Sequence, residues 1–439
     1  MIRYVLIGSG VASMAAAQAI RNEDTVGEII MVSADPHGFY SRPGLAYYLS
    51  GEIPNQQLFP EWQRAWLRSN VKYIKSHIIG IDPVVHAIET DRHEKVAYDR
   101  LLIATGSEAV PMKVPGAELP EVVKLDDYGD AQRIKDLVRK VKSAVVVGGG
   151  ITALELVESL LSFHIKVHFL LRGDRFWGNI LDLEESDLIE RKLIREGVEI
   201  HTHTEVQAIV DKRGHVHGVL TKKGESLKCQ LVAYAVGIRP KMELAKLAGL
   251  NLDKGILVNE YLETNQDHIY AAGDVAQVFD PLTGQAILDS LWNPAREQGR
   301  IAGMNMAGQR VIYLKEIAYN VTRLAGVTTT IIGMLGGSRE EQDLVDIARG
   351  ESETFRKLPN AIAMTTGSEI NQVRVMIGDN TLVGALVMGD QTLSRPLKEL
   401  ILNQVEITAV RSRLIQPSSP VGDILMDQWI TWKNSPALG

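Results

Sequence analysis

A chain of 439 residues is longer than one hydrophobic core usually sustains, so two or three domains are expected. Its net charge of -7 lacks the basic stripe that nucleic-acid binding calls for, which argues against such a partner. The single cysteine, Cys229, excludes any disulfide within the chain and suits a reducing compartment.

From the N-terminus, Tyr4-Val5-Leu6-Ile7 reads as a buried strand, leaving no room for a secretory leader. The longest apolar stretch, residues 145–161, is broken by three glycines and carries Glu155 and Glu158. It falls short of the roughly 18 apolar residues of a spanning helix. A cytoplasmic protein without a membrane span is expected.

The first strand runs into Gly8-Ser9-Gly10-Val11-Ala12-Ser13 and then an alanine-rich helical stretch. Gly8 permits the tight turn. Gly10 lets a pyrophosphate approach the backbone, where a helix N-terminus offers unpaired N–H groups. Ser13 takes the helix–strand packing position, usually Gly or Ala. The next strand, residues 29–32, precedes Asp35, the carboxylate expected to meet a ribose roughly 20–25 residues after the loop.

The pattern then repeats. Ala144-Val145-Val146-Val147 meets Gly148-Gly149-Gly150-Ile151-Thr152-Ala153, with Glu155 inside the following helix. Each unit is followed by a further strand, Leu101-Leu102-Ile103-Ala104-Thr105-Gly106 and Leu231-Val232-Ala233-Tyr234-Ala235-Val236-Gly237. A last one, Ile269-Tyr270-Ala271-Ala272-Gly273-Asp274, has no glycine opening of its own. The economical fold is α/β, with two Rossmann-like dinucleotide-binding domains, one inserted in the other. Residues 1–114 and 246–318 make the discontinuous outer domain, and residues 115–245 the inner one. Residues 319–439 read as a C-terminal α+β domain, with strands at 361–365, 373–377 and 382–388 and helices at 340–348 and 394–403. It is the part expected to dock a partner or a second copy, as a homodimer.

At the end of the second unit's strand, residues 167–171, no acid follows; Arg172 does, with Arg175 close by. A guanidinium without a carboxylate suits a 2′-phosphate and leans the choice to NADPH, unless both arginines are plain surface residues.

These segments, with Tyr40-Ser41-Arg42-Pro43 and Ala235-Val236-Gly237-Ile238-Arg239-Pro240, resemble the FAD-dependent pyridine nucleotide-disulfide oxidoreductase superfamily. The similarity is to its rubredoxin reductase and NAD(P)H nitrite reductase flavin-domain branch, and is strong over residues 1–310. It implies FAD on Gly8, Gly10, Ser13, Asp35, Thr105, Gly106, Gly273 and Asp274, with Arg42 and Pro43 beside the flavin. It implies NAD(P)H on Gly148, Gly150, Ala153, Arg172, Arg175 and Gly237, with Glu155 at the contact between the two rings. A helix starting near Trp292 would point at the flavin, Trp292 either covering the ring or packing in the core.

The chain departs from that pattern in two ways. Residues 40–58 hold no cysteine, and Cys229 sits in an apolar strand approach, so a thiol relay is excluded. Tyr47 and Tyr48 stand where ferredoxin-reductase relatives carry a lysine. The chemistry expected is hydride transfer from nicotinamide to FAD, then electron delivery to an external redox protein of the rubredoxin or ferredoxin kind, or to a subunit of a complex. An oxidase or quinone reductase, or a non-turnover FAD-bound subunit, are the alternatives. No metal is expected; His201/His203 and His215/His217 read as exposed hairpin histidines.

Overall fold

The computed structural model describes residues 1–59, 71–281, 284–335, 362–368, 371–416 and 419–435. The helix expected at 340–348 lies outside them. Arg3–Ile7 is the middle strand of a five-stranded sheet in the order Ile269–Ala271, Arg100–Ile103, Arg3–Ile7, Glu28–Ser33, Val71–Lys75. All its neighbours pair in parallel. Tyr4 to Ile7 are buried, as strands covered on both faces must be. The strand beginning at Ile269 thus completes a sheet opened at Arg3. A second parallel sheet, built only from the intervening chain, runs Glu199–His201, Lys166–Leu170, Ser143–Val147, Leu231–Tyr234, Val122–Val123.

The same short contact recurs in both units. A β-carbon on Gly8 would lie 2.2 Å from the Ala104 carbonyl oxygen, and one on Gly148 would lie 2.3 Å from that of Ala235. Each glycine follows the central strand, and each carbonyl follows the neighbouring strand. The repeat therefore preserves a backbone crossing that only glycine permits, with φ +104° at Gly8 and +146° at Gly148.

Two helices close the outer unit. Val11–Glu23 is slim because alanines line it, and Trp292–Met306 presents Gly299 and Gly303 to it. β-carbons there would fall 2.1 Å from the Ala12 carbonyl oxygen and 2.3 Å from that of Ala16. The helix axes approach backbone to backbone, closer than larger side chains allow.

The chain passes between the units twice, side by side. Ser107–Ala109 pairs antiparallel with Ile238–Pro240. Lys241 N–H donates to the Gly106 carbonyl at 2.9 Å, and Thr105 Oγ1 donates to the Lys241 carbonyl at 2.9 Å. The exposed Glu108–Arg239 ion pair, 2.6 Å, adds about 0–1 kcal/mol at most, so the ladder bonds carry this link.

Tyr319–Leu324, Val327–Gly333, Leu382–Met388, Asn371–Ile377 and Ile362–Ser368 form, in that order, an antiparallel sheet. Period-two alternation sorts its faces. Val375, Ile377, Ala385 and Val387 pack under the helices Ser394–Leu402, Thr408–Leu414 and Val421–Lys433. Met376, Leu386 and Met388 join Phe176, Trp177 and Ile180 of the inner unit. Arg374 is buried at that seam, 2.9 Å from the Glu185 carboxylate, and donates to the Ile180 carbonyl at 2.6 Å. Among the described residues no helix is long and apolar enough to cross a membrane.

Replacing Gly299 by valine forces the two outer helices apart. We expect a loss of about 1–3 kcal/mol of stability, read from thermal melting; an unchanged melting temperature would contradict the close-contact account.

Candidate functional site

Gly10 is the N-cap of Val11–Glu23, with no side-chain cap and no acid in the first turn. A β-carbon at Gly10 or at Gly106 would meet nothing within 4 Å. Open space thus lies over a helix end whose N–H groups lack partners and carry partial positive charge, which suits a diphosphate. Ser13 is fully buried and its hydroxyl has no hydrogen-bond partner. It occupies the packing position at the cost of an unsatisfied group.

Residues some 260 apart in the chain converge on this loop. Gly273, at φ +80°, would place a β-carbon 3.3 Å from that of Ala12 and 3.7 Å from that of Ala295, at the start of Trp292–Met306. Its N–H donates to Gln298 Oε1 at 2.8 Å. Asp274 accepts from the Ser107 hydroxyl at 2.7 Å, which joins the Thr105-Gly106 crossing to the Gly273 turn. Ser107 and Gln298 escaped the sequence reading, since neither belongs to a glycine motif.

Arg42 opens the short turn Arg42–Gly44, with Pro43 at its start. Its Nη1 donates to the Asp126 carbonyl at 3.1 Å and stands 3.8 Å from the Asp126 carboxylate. Burial opposes its charge, but Tyr40, Asp126, Asp274 and Asp35 outweigh that and hold the guanidinium above its ordinary value. Arg42 therefore links outer-unit residues to a carboxylate of the inner unit. Asp35 is engaged within its own loop: it accepts from His37 N–H at 2.9 Å and from the Tyr40 hydroxyl at 3.2 Å. The polar group at the strand end itself is Ser33, whose hydroxyl is 3.1 Å from that of Ser9.

The second loop mirrors the first. Gly150 caps Ile151–Ser162 without a side-chain bond, and no acid occupies the first turn. A small cleft beside it is lined by Gly150, Thr152 and Ala153, with Lys124, Asp126, Tyr234 and Gly237 opposite. The Thr152 hydroxyl is buried there without a partner, and a β-carbon on Gly149 would meet nothing within 4 Å. An unsatisfied donor and an open backbone are what a nucleotide would fill. Glu155 is half-buried one turn along the helix.

The remaining expected residues separate. Arg172 is exposed after Lys166–Leu170 and, among the described residues, makes no hydrogen bond or ion pair. Arg175 folds back to the Gly178 carbonyl at 2.9 Å and to Asp174 at 2.8 Å, which leaves Arg172 as the available cation. Trp292 packs against Phe39, ring centroids 6.0 Å apart, in the outer core. In the neighbourhood of Tyr47 the cation comes from the C-terminal sheet: Arg323 lies over the Tyr47 ring at 5.4 Å and 2.5 Å from Glu52. Burial pushes the Cys229 thiol up to about 12.

Two loops of this geometry, each over a helix end, define a protein that takes two dinucleotides. The chain belongs to the pyridine nucleotide-disulphide oxidoreductase family, which matches residues 2–305, and is an FAD-dependent NAD(P)H oxidoreductase. It is 26% identical over 400 residues to the NADH-rubredoxin oxidoreductase of Clostridium acetobutylicum, covering 91% of this chain and 94% of that one. It is 26% identical over 425 residues to the NAD(P)H nitrite reductase of Bacillus subtilis, covering 95% of this chain and 49% of the relative, so it spans about half that protein. The crystal structure of the covalent putidaredoxin reductase–putidaredoxin complex shares its fold, with TM-score 0.84, 22% identity and coverage of 97% and 99% of the two chains.

Two outcomes follow from this geometry. Gly148→Ala drives a β-carbon against the Ala235 carbonyl, so coenzyme binding should weaken about tenfold or more (about 1.4 kcal/mol) while FAD stays bound. Equilibrium titration with NADH and NADPH checks it. Glu158, one turn beyond Glu155, is pushed up to about 7 by burial, against the pull of Arg323 and the Gly326 N–H. A carboxyl raised on folding holds its proton more tightly in the native state, so stability is greatest below its unfolded value of 4.5 and falls as pH rises through about 7. Glu158→Gln should flatten that fall, read from melting temperatures between about pH 5 and about pH 7.5.

Proposed function

We propose that this chain passes electrons from NAD(P)H through FAD straight to an external redox protein of the ferredoxin or rubredoxin class, or to a partner subunit, with no thiol in between. The observation that carries the reading is the pair of glycine loops in a chain whose only cysteine is buried and held as a thiol. When bound, the nicotinamide supplies a hydride and the flavin accepts it and releases electrons onward.

The protein's part is positioning and charge. In this reading Gly8, Gly10, Ser13, Thr105 and Gly106 hold the FAD diphosphate region, and Asp274, set by Ser107, accepts from the ribitol chain. The start of Trp292–Met306 beside Gly273 favours negative charge in that groove. Arg42 and Pro43 border the flavin, and Arg42 also ties the inner unit to it through Asp126. Gly148, Gly150, Ala153 and Gly237 hold the nicotinamide coenzyme, with Glu155 near its reactive end. The domains are read as 1–114 with 246–318, 115–245, and 319–439, the last pairing two copies or docking the acceptor.

Arg172, exposed where no carboxylate follows the strand, supports NADPH as the better donor. Arg172→Ala should weaken NADPH about tenfold or more and leave NADH nearly unchanged, in stopped-flow flavin bleaching. Reoxidation against a panel of ferredoxins, rubredoxins, quinones and O₂ tests the acceptor; rapid turnover with O₂ alone would overturn the redox-protein reading.

A further inference from the structure

His168, on Lys166–Leu170, and Glu199 and His201, on Glu199–His201, stand on one face of two adjoining parallel strands, since His168 is in register with Glu199 and residues two apart share a face. The His168 Nδ1 lies 3.0 Å from Glu199 Oε2 and 3.3 Å from His201 Nε2. Three such atoms are all within 4.8 Å of one another. A cation among the three would take a lone pair from each ring nitrogen and from one carboxylate oxygen at once. Ligand atoms held tetrahedrally around zinc at about 2.0–2.1 Å lie about 3.3 Å apart, close to the two separations from His168 Nδ1.

From this geometry we infer a three-ligand site for a divalent first-row transition metal, made by His168 Nδ1, Glu199 Oε2 and His201 Nε2, with the fourth position left to water. Two imidazoles and a carboxylate suit zinc and its neighbours, and not magnesium or calcium. Glu199 is preset for the task. Lys166 Nζ holds its other oxygen at 2.6 Å, a positioning contact of the kind that orients metal ligands. The sequence reading expects no metal and takes His201 for an exposed hairpin residue, whereas it is half-buried on the parallel edge strand. His203 is exposed in the turn after the strand, at φ +49°, and His215 is engaged by Glu121 at 2.7 Å. His168 supplies the second imidazole from across the ladder.

An ion here would stitch the sheet's edge strand to its neighbour. His201 also accepts Leu171 N–H at 2.9 Å through its carbonyl, so the stitched strand borders the segment that carries Arg172.

The test uses the untagged, FAD-loaded full chain, stripped with chelator and titrated with Zn²⁺ against a chromogenic chelator, and with Co²⁺ by visible spectroscopy. We expect one tight equivalent and a tetrahedral Co²⁺ spectrum. Glu199→Gln and the half-exposed His201→Ala should each bind about tenfold or more weakly and lose that spectrum, with flavin content and circular dichroism preserved. His215→Ala should bind like the parent. Equal Zn²⁺ affinity in parent and ligand variants, or no stoichiometric binding by the parent, would overturn the proposal.

Discussion

The contact between the helices Val11–Glu23 and Trp292–Met306 fixes the rest of the outer unit's architecture. Gly299 and Gly303 lie against the Ala12 and Ala16 carbonyls with no room for a β-carbon. That approach sets Gly273 beside Ala12 and brings the two helix starts together at one groove. The N-terminal loop and a turn some 260 residues later become one site because two backbones touch. Side chains any larger would part the helices and divide the groove.

The remaining constraints serve to join units. Arg42 reaches Asp126, Ser107 reaches Asp274, and the Thr105-Gly106 crossing is bonded to Lys241. Each link spans the boundary between outer and inner units or lies at the base of the crossing. Arg323 and Arg374 do the same from the C-terminal sheet, meeting Glu52 in the outer unit and Glu185 in the inner one. The buried Arg374–Glu185 pair brings modest net stability but fixes relative position, since a wrong arrangement strands a charge, whereas the exposed Arg323–Glu52 pair adds little.

Much of this was legible in the sequence. Two glycine loops after apolar strands, each with a further strand behind, give the repeat, and the unopened strand at residues 269–274 gives the interruption. What the loops touch was not legible, because the Ala104 and Ala235 carbonyls are backbone atoms that any residue supplies. Gly299 and Gly303 are ordinary in a helical run until the partner helix is known. Asp35 and Arg175 were plausible by position, yet each closes on its own loop, and local hydrogen bonds leave no mark on spacing. The histidines show the same limit: His168 and His201 are 33 residues apart and meet only through sheet register.

The ribbon of Ser107–Ala109 and Ile238–Pro240 carries an evolutionary consequence. Entry and exit of the inner unit run as adjacent strands, about 5 Å apart. A segment whose two ends meet is a cassette: it can be exchanged between relatives, or opened and resealed, without re-threading its host. The inner unit can then diverge while the outer frame is inherited unchanged.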